Sequence, residues 1–396
     1  MLVVGVAFGP SPLYKLLCLP RGVVSAQGAA RQIFVPSFGA APLRLWASVG
    51  RIMIKALFRL DASSRIGAGH AMRCLALAEE MRAQGWNCAI LAVELTDAVR
   101  RRFDAEGIDC LLMPGPIGSQ ADAEATLRTV ESIGSSVLVV DGYDFGRAWW
   151  NRLGRPDELV VVAMDDNVEK TPLPVDVVVN AAGAEHRSLY LVRTNGAQLL
   201  LGSAYTLLRA EIRAAAAETR IPLGERRQVL VTFGGSDPAG LTLPVVRALD
   251  SALPENVRIA AVVGGSVPAA GDVAAACRAI SSRVDAQEDV RTMGRLIAQS
   301  GLVVTAAGST VGEVFALGVP SIVIPVAPNQ VEGAQLAAAN GGSLACEPDP
   351  YAIATAAITL WNDESRRAAM EAAAGQVVDL SGAKRIVAAI QSVLMT

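Results

Sequence analysis

Only two histidines occur in the 396-residue chain, His70 and His186, so imidazole chemistry has two places to reside. His70 ends the run Asp61-Ala-Ser-Ser-Arg-Ile-Gly-Ala-Gly-His70. Gly67 and Gly69 let the backbone approach a ligand closely, and a histidine that opens a helix sits where the positive helix end favours an anion or a polarised water. An imidazole with an ordinary pKa near 6.5 is mostly neutral at neutral pH and can accept a proton. The same run also fits a plain tight turn with a capping histidine. A nicotinamide fingerprint competes, because Glu94 ends the next strand-like run, but Met72 stands where its third glycine belongs. His186, in Asn-Ala-Ala-Gly-Ala-Glu-His, reads as a surface-loop residue.

Two further runs invite an anion. Phe233-Gly-Gly-Ser-Asp-Pro238 follows a strand pattern and precedes a helical one, and Gly235, Ser236 and Asp237 with Pro238 in a first turn would expose amide donors to a diphosphate. Ala307-Gly-Ser-Thr310, followed by Glu313, repeats the arrangement. Either alone fits a helix N-cap; together they favour a nucleotide diphosphate. No Gly-x-x-x-x-Gly-Lys-Ser/Thr run exists and the chain has four lysines, which sets aside a P-loop NTPase. The six cysteines form no Cys-x-x-Cys pair, so neither a zinc ribbon nor a disulfide framework is indicated and a reducing cytoplasm suits them. No metal site and no cofactor is expected.

The elements that must position these runs alternate. Strand patterns at 54–60, 87–93, 137–140, 159–163, 175–179 and 198–201, with a helix over 70–84, predict one α/β layer. A helix is expected to begin at Tyr205. The polar stretch ETRIPLGERR reads as a linker, and strands at 228–233, 258–263, 302–305 and 321–325 predict a second layer. The expected fold class is α/β, with two Rossmann-like domains facing across a cleft: 53–220, 226–375, and a C-terminal helix over 376–396. Ligands in such sheets bind beyond the carboxyl ends of the strands, which confines chemistry to strand-to-helix loops.

Composition agrees with a globular protein: 52% hydrophobic and 18% charged residues. The net charge of −3, without a basic stripe, argues against a nucleic-acid partner. No apolar run reaches the roughly 18 residues of a membrane span. Residues 1–52 carry Lys15, Arg21, Arg31, Arg44 and Arg51 but no Asp or Glu, leaving 30 basic against 38 acidic side chains beyond them. This stretch reads as a poorly ordered or artefactual extension before a domain that starts at Met53; Gly9, Pro10 and Pro12 break the apolar core a secretory signal needs.

The run RLDASSRIGAGHAMRCLALAEEM resembles the opening of the UDP-2,4-diacetamido-2,4,6-trideoxy-β-L-altropyranose hydrolases of pseudaminic acid biosynthesis, relatives of the GT-B glycosyltransferases. The similarity continues in order through Asp141-Gly-Tyr143, Met164-Asp-Asp166, LLLGSAYTLLRAEI, VTFGGSDP, AAGSTVGEVFALGVP and Pro328-Asn-Gln330. Three positions depart from the family pattern. Gly142 stands where Asp-His-Tyr is often read, Pro328 where an acidic residue often precedes Asn-Gln, and Gly312 where several relatives carry an aromatic.

The resemblance implies a GT-B fold, a UDP-sugar substrate, and attack of water on the anomeric carbon with inversion. It implies His70 as the general base, with Asp61, Gly67, Gly69, Arg73, Tyr143, Tyr205 and Arg209 on the sugar side. By the same carry-over, Gly235, Ser236, Asp237, Ser309, Thr310, Glu313, Asn329 and Gln330 hold the nucleotide, with Glu313 on the ribose. Arg73 also fits a simple pairing with a carboxylate, and Asp165 and Asp166 also fit a strand end. A glycosyltransferase using the same nucleotide site is the alternative, with Trp149 and Trp150 as the residues that would serve a lipid-acceptor surface.

Overall fold

A computed structural model describes residues 53–395 apart from 64, 155, 157 and 167–171; the stretch 1–52 lies outside the described residues. Seven apolar runs form the first sheet: β1 (Lys55–Leu60), β2 (Asn87–Ala92), β3 (Asp109–Leu112), β4 (Val137–Asp141), β5 (Val160–Met164), β6 (Val177–Asn180) and β7 (Gln198–Leu201). Their order across the sheet is β3-β2-β1-β4-β5-β6-β7, and every pairing is parallel. The second sheet contains β8 (Gln228–Thr232), β9 (Arg258–Val263), β10 (Val284–Glu288), β11 (Leu302–Ala306), β12 (Ser321–Ile324) and β13 (Ser343–Ala345). It runs β10-β9-β8-β11-β12-β13, again all parallel.

Parallel sheets are covered on both faces, which is why β4, β5, β6 and β11 are buried at every position. Each sheet carries an apolar layer on either side. Phe58, Leu77, Ile90 and Val139 build one layer of the first half and Leu57, Leu138, Trp149 and Tyr190 the other. The order reverses between β1 and β4 in one sheet and between β8 and β11 in the other. These are the switch points at which doubly wound folds open a crevice, and the loops that follow those strands are the ones with chemistry.

The strands that the sequence pattern does not mark are β3, β10 and β13. All are edge or near-edge elements, and β10 (Val-Asp-Ala-Gln-Glu) exposes two of its five residues, so no continuous apolar run announces it. No helix begins at Tyr205. Ser203–Tyr205 is a single 3-10 turn, the chain then runs extended, and the helix starts at Ala210. The extended segment packs closely on the last helix: a Cβ on Gly382 would clash with the Thr206 carbonyl oxygen, so glycine is required where the two segments touch.

The crossing between halves also lies earlier than the polar stretch at 218–227. Ile212 and Ala215 of the helix Ala210–Ala217 already belong to the second core. The last helix, Gly382–Leu394, returns in the opposite sense and inserts Ile386, Val387 and Ile390 into the first core. Trp149 and Trp150 are 0% and 4% exposed, so they are core residues and offer no surface to a lipid.

Candidate functional site

The loop after β1 ends in a tight turn in which Gly67 N–H donates to the Ser63 carbonyl (2.8 Å) and Ile66 N–H to Ser63 Oγ (3.2 Å). Gly67 has φ +84°, a left-handed conformation that glycine adopts without strain. The turn pushes the loop tip against the second half. A Cβ at Gly67 would lie 3.6 Å from Ser236 Oγ and one at Gly69 3.9 Å from Ser309 Oγ. A Cβ on Gly235 would meet that of Ala68 at 2.6 Å, so only glycine fits. The loops after β1, β8 and β11 thus converge on one place.

His70, buried in the first turn of the helix Gly69–Ala83, faces the end of β4. Its Nδ1 is 2.5 Å from Asp141 Oδ1. Arg73 lies one turn on and donates from Nε to Asp141 Oδ2 (2.6 Å), from Nη2 to Oδ1 (2.5 Å) and from Nη1 to Asp166 Oδ2 (2.6 Å). The Cys74 thiol also donates to Asp141 Oδ2, at 3.3 Å. Burial pushes the Asp141 carboxyl upward, but the Arg73 guanidinium and then His70 outweigh it and hold the group well below the usual carboxylate range. Asp166 is likewise held low, burial being outweighed by Arg73.

An anionic Asp141 only accepts hydrogen bonds. His70 Nδ1, 2.5 Å from an oxygen that can only accept, must then carry the proton, and Arg73 Nη2, which donates to the same Asp141 Oδ1, lies 3.1 Å from that nitrogen. In the neutral ring the lone pair is therefore on Nε2. The Tyr143 ring packs edge-on against the imidazole, centroids 4.7 Å apart at 80°. Its hydroxyl accepts from Asn329 Nδ2 of the second half at 3.2 Å. Burial, reinforced by Asp166, holds the phenol above its ordinary pKa, so it stays neutral.

Several expected site residues have other occupations. Asp61 is 4% exposed; it accepts Val93 N–H (2.7 Å), Glu94 N–H (2.9 Å) and Arg59 Nη1 (2.6 Å), tying β1 to β2 rather than lining a sugar site. Asp237 is engaged within its own loop. Its oxygens accept Leu241 N–H, Thr242 N–H and Thr242 Oγ1 at 2.7–2.9 Å, capping a helix that begins only at Thr242. Neither Ser236 nor Pro238 therefore stands at a helix start. Tyr205 packs against the first core beside the returning helix. Arg209 donates from Nε (2.9 Å) and Nη2 (2.8 Å) to Glu313 Oε1, so it orients that carboxylate. Ser309 and Thr310 open the helix Thr310–Ala316, Glu313 sits in its first turn, and Gln330 Oε1 accepts Val326 N–H at 3.0 Å.

Asp141 is the residue that sequence reasoning passed over, although it is the one charge in Val-Leu-Val-Val-Asp and ends a strand at the switch point. Arg59, wholly buried in β1, is another. It donates to both Asp122 oxygens (2.9 and 2.6 Å) and holds the two sides of this corner together. His186 lies in the 3-10 turn Ala184–His186. Among the described residues, Glu185, His186 and Glu332 bring potential ligand atoms within 4.8 Å of one another, on a surface that shares no residue with the converging loops. No helix among the described residues is long and apolar enough to cross a membrane.

No family model matches the chain. It is 24% identical over 270 residues to an uncharacterized protein of Methanocaldococcus jannaschii, covering 67% of this chain and 54% of that one; the chain thus spans about half of that relative's length. It is 23% identical over 292 residues to the spore coat polysaccharide biosynthesis protein SpsG of Bacillus subtilis, covering 72% and 81%. Among solved structures, the S. aureus MnaA co-structure with UDP superposes with a TM-score of 0.60 at 12% identity, over 87% of this chain and 97% of that one. The two parallel sheets, the switch-point crevice and this likeness make the fold GT-B.

Proposed function

We propose that the protein is an inverting hydrolase of a UDP-linked sugar, of the 2,4-diacetamido-2,4,6-trideoxy class that its motifs resemble. The observation that carries this reading is the His70–Asp141 pair (2.5 Å), set beside a loop tip that meets the Ser236 and Ser309 loops. Asp141 keeps the Nδ1 proton in place and leaves Nε2 to take a proton from water. As the water oxygen bonds to the anomeric carbon, the bond from that carbon to the β-phosphate oxygen breaks and its electron pair leaves with UDP.

The electrostatics support proton uptake. Asp141 and Asp166 around one Arg73 carry a net charge of −1, so the imidazolium formed neutralises the cluster instead of adding to a positive one. The Ser236, Ser309 and Thr310 hydroxyls and neighbouring amides are the donors for the departing diphosphate. Glu313, its Oε1 held by Arg209, is the ribose acceptor, with Asn329 and Gln330 along the nucleotide sugar. The same base would serve an acceptor hydroxyl, which is how a glycosyltransferase would use these residues. Incubation with the UDP-diacetamido sugar and no acceptor, read by NMR for UDP and for the product anomer, separates them. Release of the free sugar with inverted configuration is expected; UDP release only after an acceptor is added would give the transferase.

A further inference from the structure

An ionised carboxylate offers about four acceptor positions, and in a buried one each needs a donor. Those of Asp141 are filled from a single helix. Oδ1 accepts from His70 Nδ1 and Arg73 Nη2, both at 2.5 Å, and Oδ2 from Arg73 Nε at 2.6 Å and the Cys74 thiol at 3.3 Å. The three donors stand at positions 70, 73 and 74 of the helix Gly69–Ala83, the spacing that puts side chains on one face. The helix thus grips the end of β4 through one carboxylate, and the grips differ in stiffness. Arg73 is long, its side chain is 19% exposed, and it is drawn to Asp166 as well. Cys74 is wholly buried in the first core, and its sulfur hangs on one torsion from the backbone that also carries His70. Burial, reinforced by the Asp141 charge, pushes the thiol well above its ordinary pKa, so the sulfur keeps the hydrogen it donates.

We infer that Cys74 is a positioning residue of the His70–Asp141 pair: its thiol pins Asp141 Oδ2, so that Oδ1 stays turned to Nδ1 of the imidazole. A carboxylate pivots readily about its terminal bond, a broad and soft torsion, and a pivot that swings Oδ1 off Nδ1 frees the ring with it. A thiol suits the place. As a neutral donor it fills the last position on Oδ2 without adding a cation that would oppose the charge His70 gains with a proton, and its sulfur still packs as a small apolar group. The inference rests on the reading of His70 as the base and deepens it.

The test measures UDP release from the UDP-2,4-diacetamido sugar by the full-length wild type, Cys74→Ala and Cys74→Ser. Cys74→Ala should lower kcat by about threefold to tenfold, the worth of one weak hydrogen bond, with KM little changed because the thiol lies wholly inside the core. Serine and alanine fill nearly the same space but only serine donates, so Cys74→Ser should recover most of the lost kcat. A residue that served packing alone would leave the serine variant no better than the alanine one, since a hydroxyl without a partner in an apolar core is itself a cost. Infrared difference spectra, wild type minus Cys74→Ala, isolate the S–H stretch of this thiol; it should lie below that of a thiol without an acceptor and rise when Asp141→Asn weakens the acceptor. Equal kcat in the alanine and serine variants, a Cys74→Ala defect confined to KM, or an S–H band that Asp141→Asn leaves in place would overturn the assignment. If the wild type released no UDP, the hydrolase reading would fail, and proton and nitrogen NMR of the His70 ring would still judge Cys74, with His186→Gln removing the only other histidine. A sharp Nδ1–H signal in wild type and Cys74→Ser that is broadened or lost in Cys74→Ala supports the positioning role; identical ring signals in all three overturn it.

Discussion

Replacing Asp141 with Asn keeps the shape of the side chain and reverses the sense of its bond to His70. The amide NH2 can donate to Nδ1, which then becomes the acceptor and moves the imidazole proton to Nε2, where a general base needs its lone pair. Loss of a general base lowers turnover about 100-fold to 10,000-fold, equivalent to roughly 2.7–5.5 kcal/mol at 1.36 kcal/mol per decade. Stability should fall as well. Breaking a buried pair costs about 3–5 kcal/mol when the other charge is stranded, but Arg73 keeps Asp166 at 2.6 Å, so a loss of about 2 kcal/mol is expected. Because Asp141 has its pKa lowered by folding, the stabilisation from its charge is complete above the unfolded carboxylate pKa of about 3.9 and is lost as pH falls below it. The variant's deficit in melting temperature should therefore be full at pH 7 and shrink below about pH 4. UDP release gives turnover, calorimetry gives UDP affinity, and thermal melts between pH 3 and 8 give stability. More than a tenth of wild-type turnover with an unchanged pH profile would refute the tautomer argument.

His70→Asn should lower turnover by the same about 100-fold to 10,000-fold while UDP affinity by calorimetry changes little, since the nucleotide loops belong to the other half. Glu313→Ala should weaken UDP binding by about 1.5–3 kcal/mol, and Ser236→Ala should weaken it in the same direction; unchanged affinity in both would remove the nucleotide assignment. Asp61→Ala should act on stability rather than on chemistry, because it leaves two backbone N–H groups and part of the Arg59 guanidinium without their acceptor. A loss of about 3 kcal/mol in denaturant unfolding is expected, with KM for the sugar nucleotide unchanged in the folded fraction.

The parallel strands were readable because burial on both faces writes an uninterrupted apolar run, as in Val-Val-Val-Ala-Met of β5. Edge strands such as β13, three residues long, write no such run. The converging loops were readable from glycine next to a polar residue after a strand. What each polar residue touches was not: Asp61 and Asp141 look alike in sequence, each an acidic residue at or just beyond the end of a strand, yet one is consumed by backbone amides of the next strand and the other by His70 and Arg73. The difference arises from neighbours 30 to 70 positions away, chosen by the strand order. The pairing of Arg209 was illegible for the same reason; its partner, Glu313, is 104 residues distant.

The helix Gly382–Leu394 has a consequence for the order of events at the ribosome. Domains ordinarily fold as units, the earlier one first, during synthesis. Here the earlier half lacks Ile386, Val387 and Ile390, all fully buried in its core, until some 180 further residues beyond β7 have been made. The second half, which begins to gather its core at Leu208 and Ile212, has all its strands translated before that helix emerges. The half that carries His70 is thus first to be translated and last to be completed, and its finished form depends on a segment that passes through the other half's territory on the way.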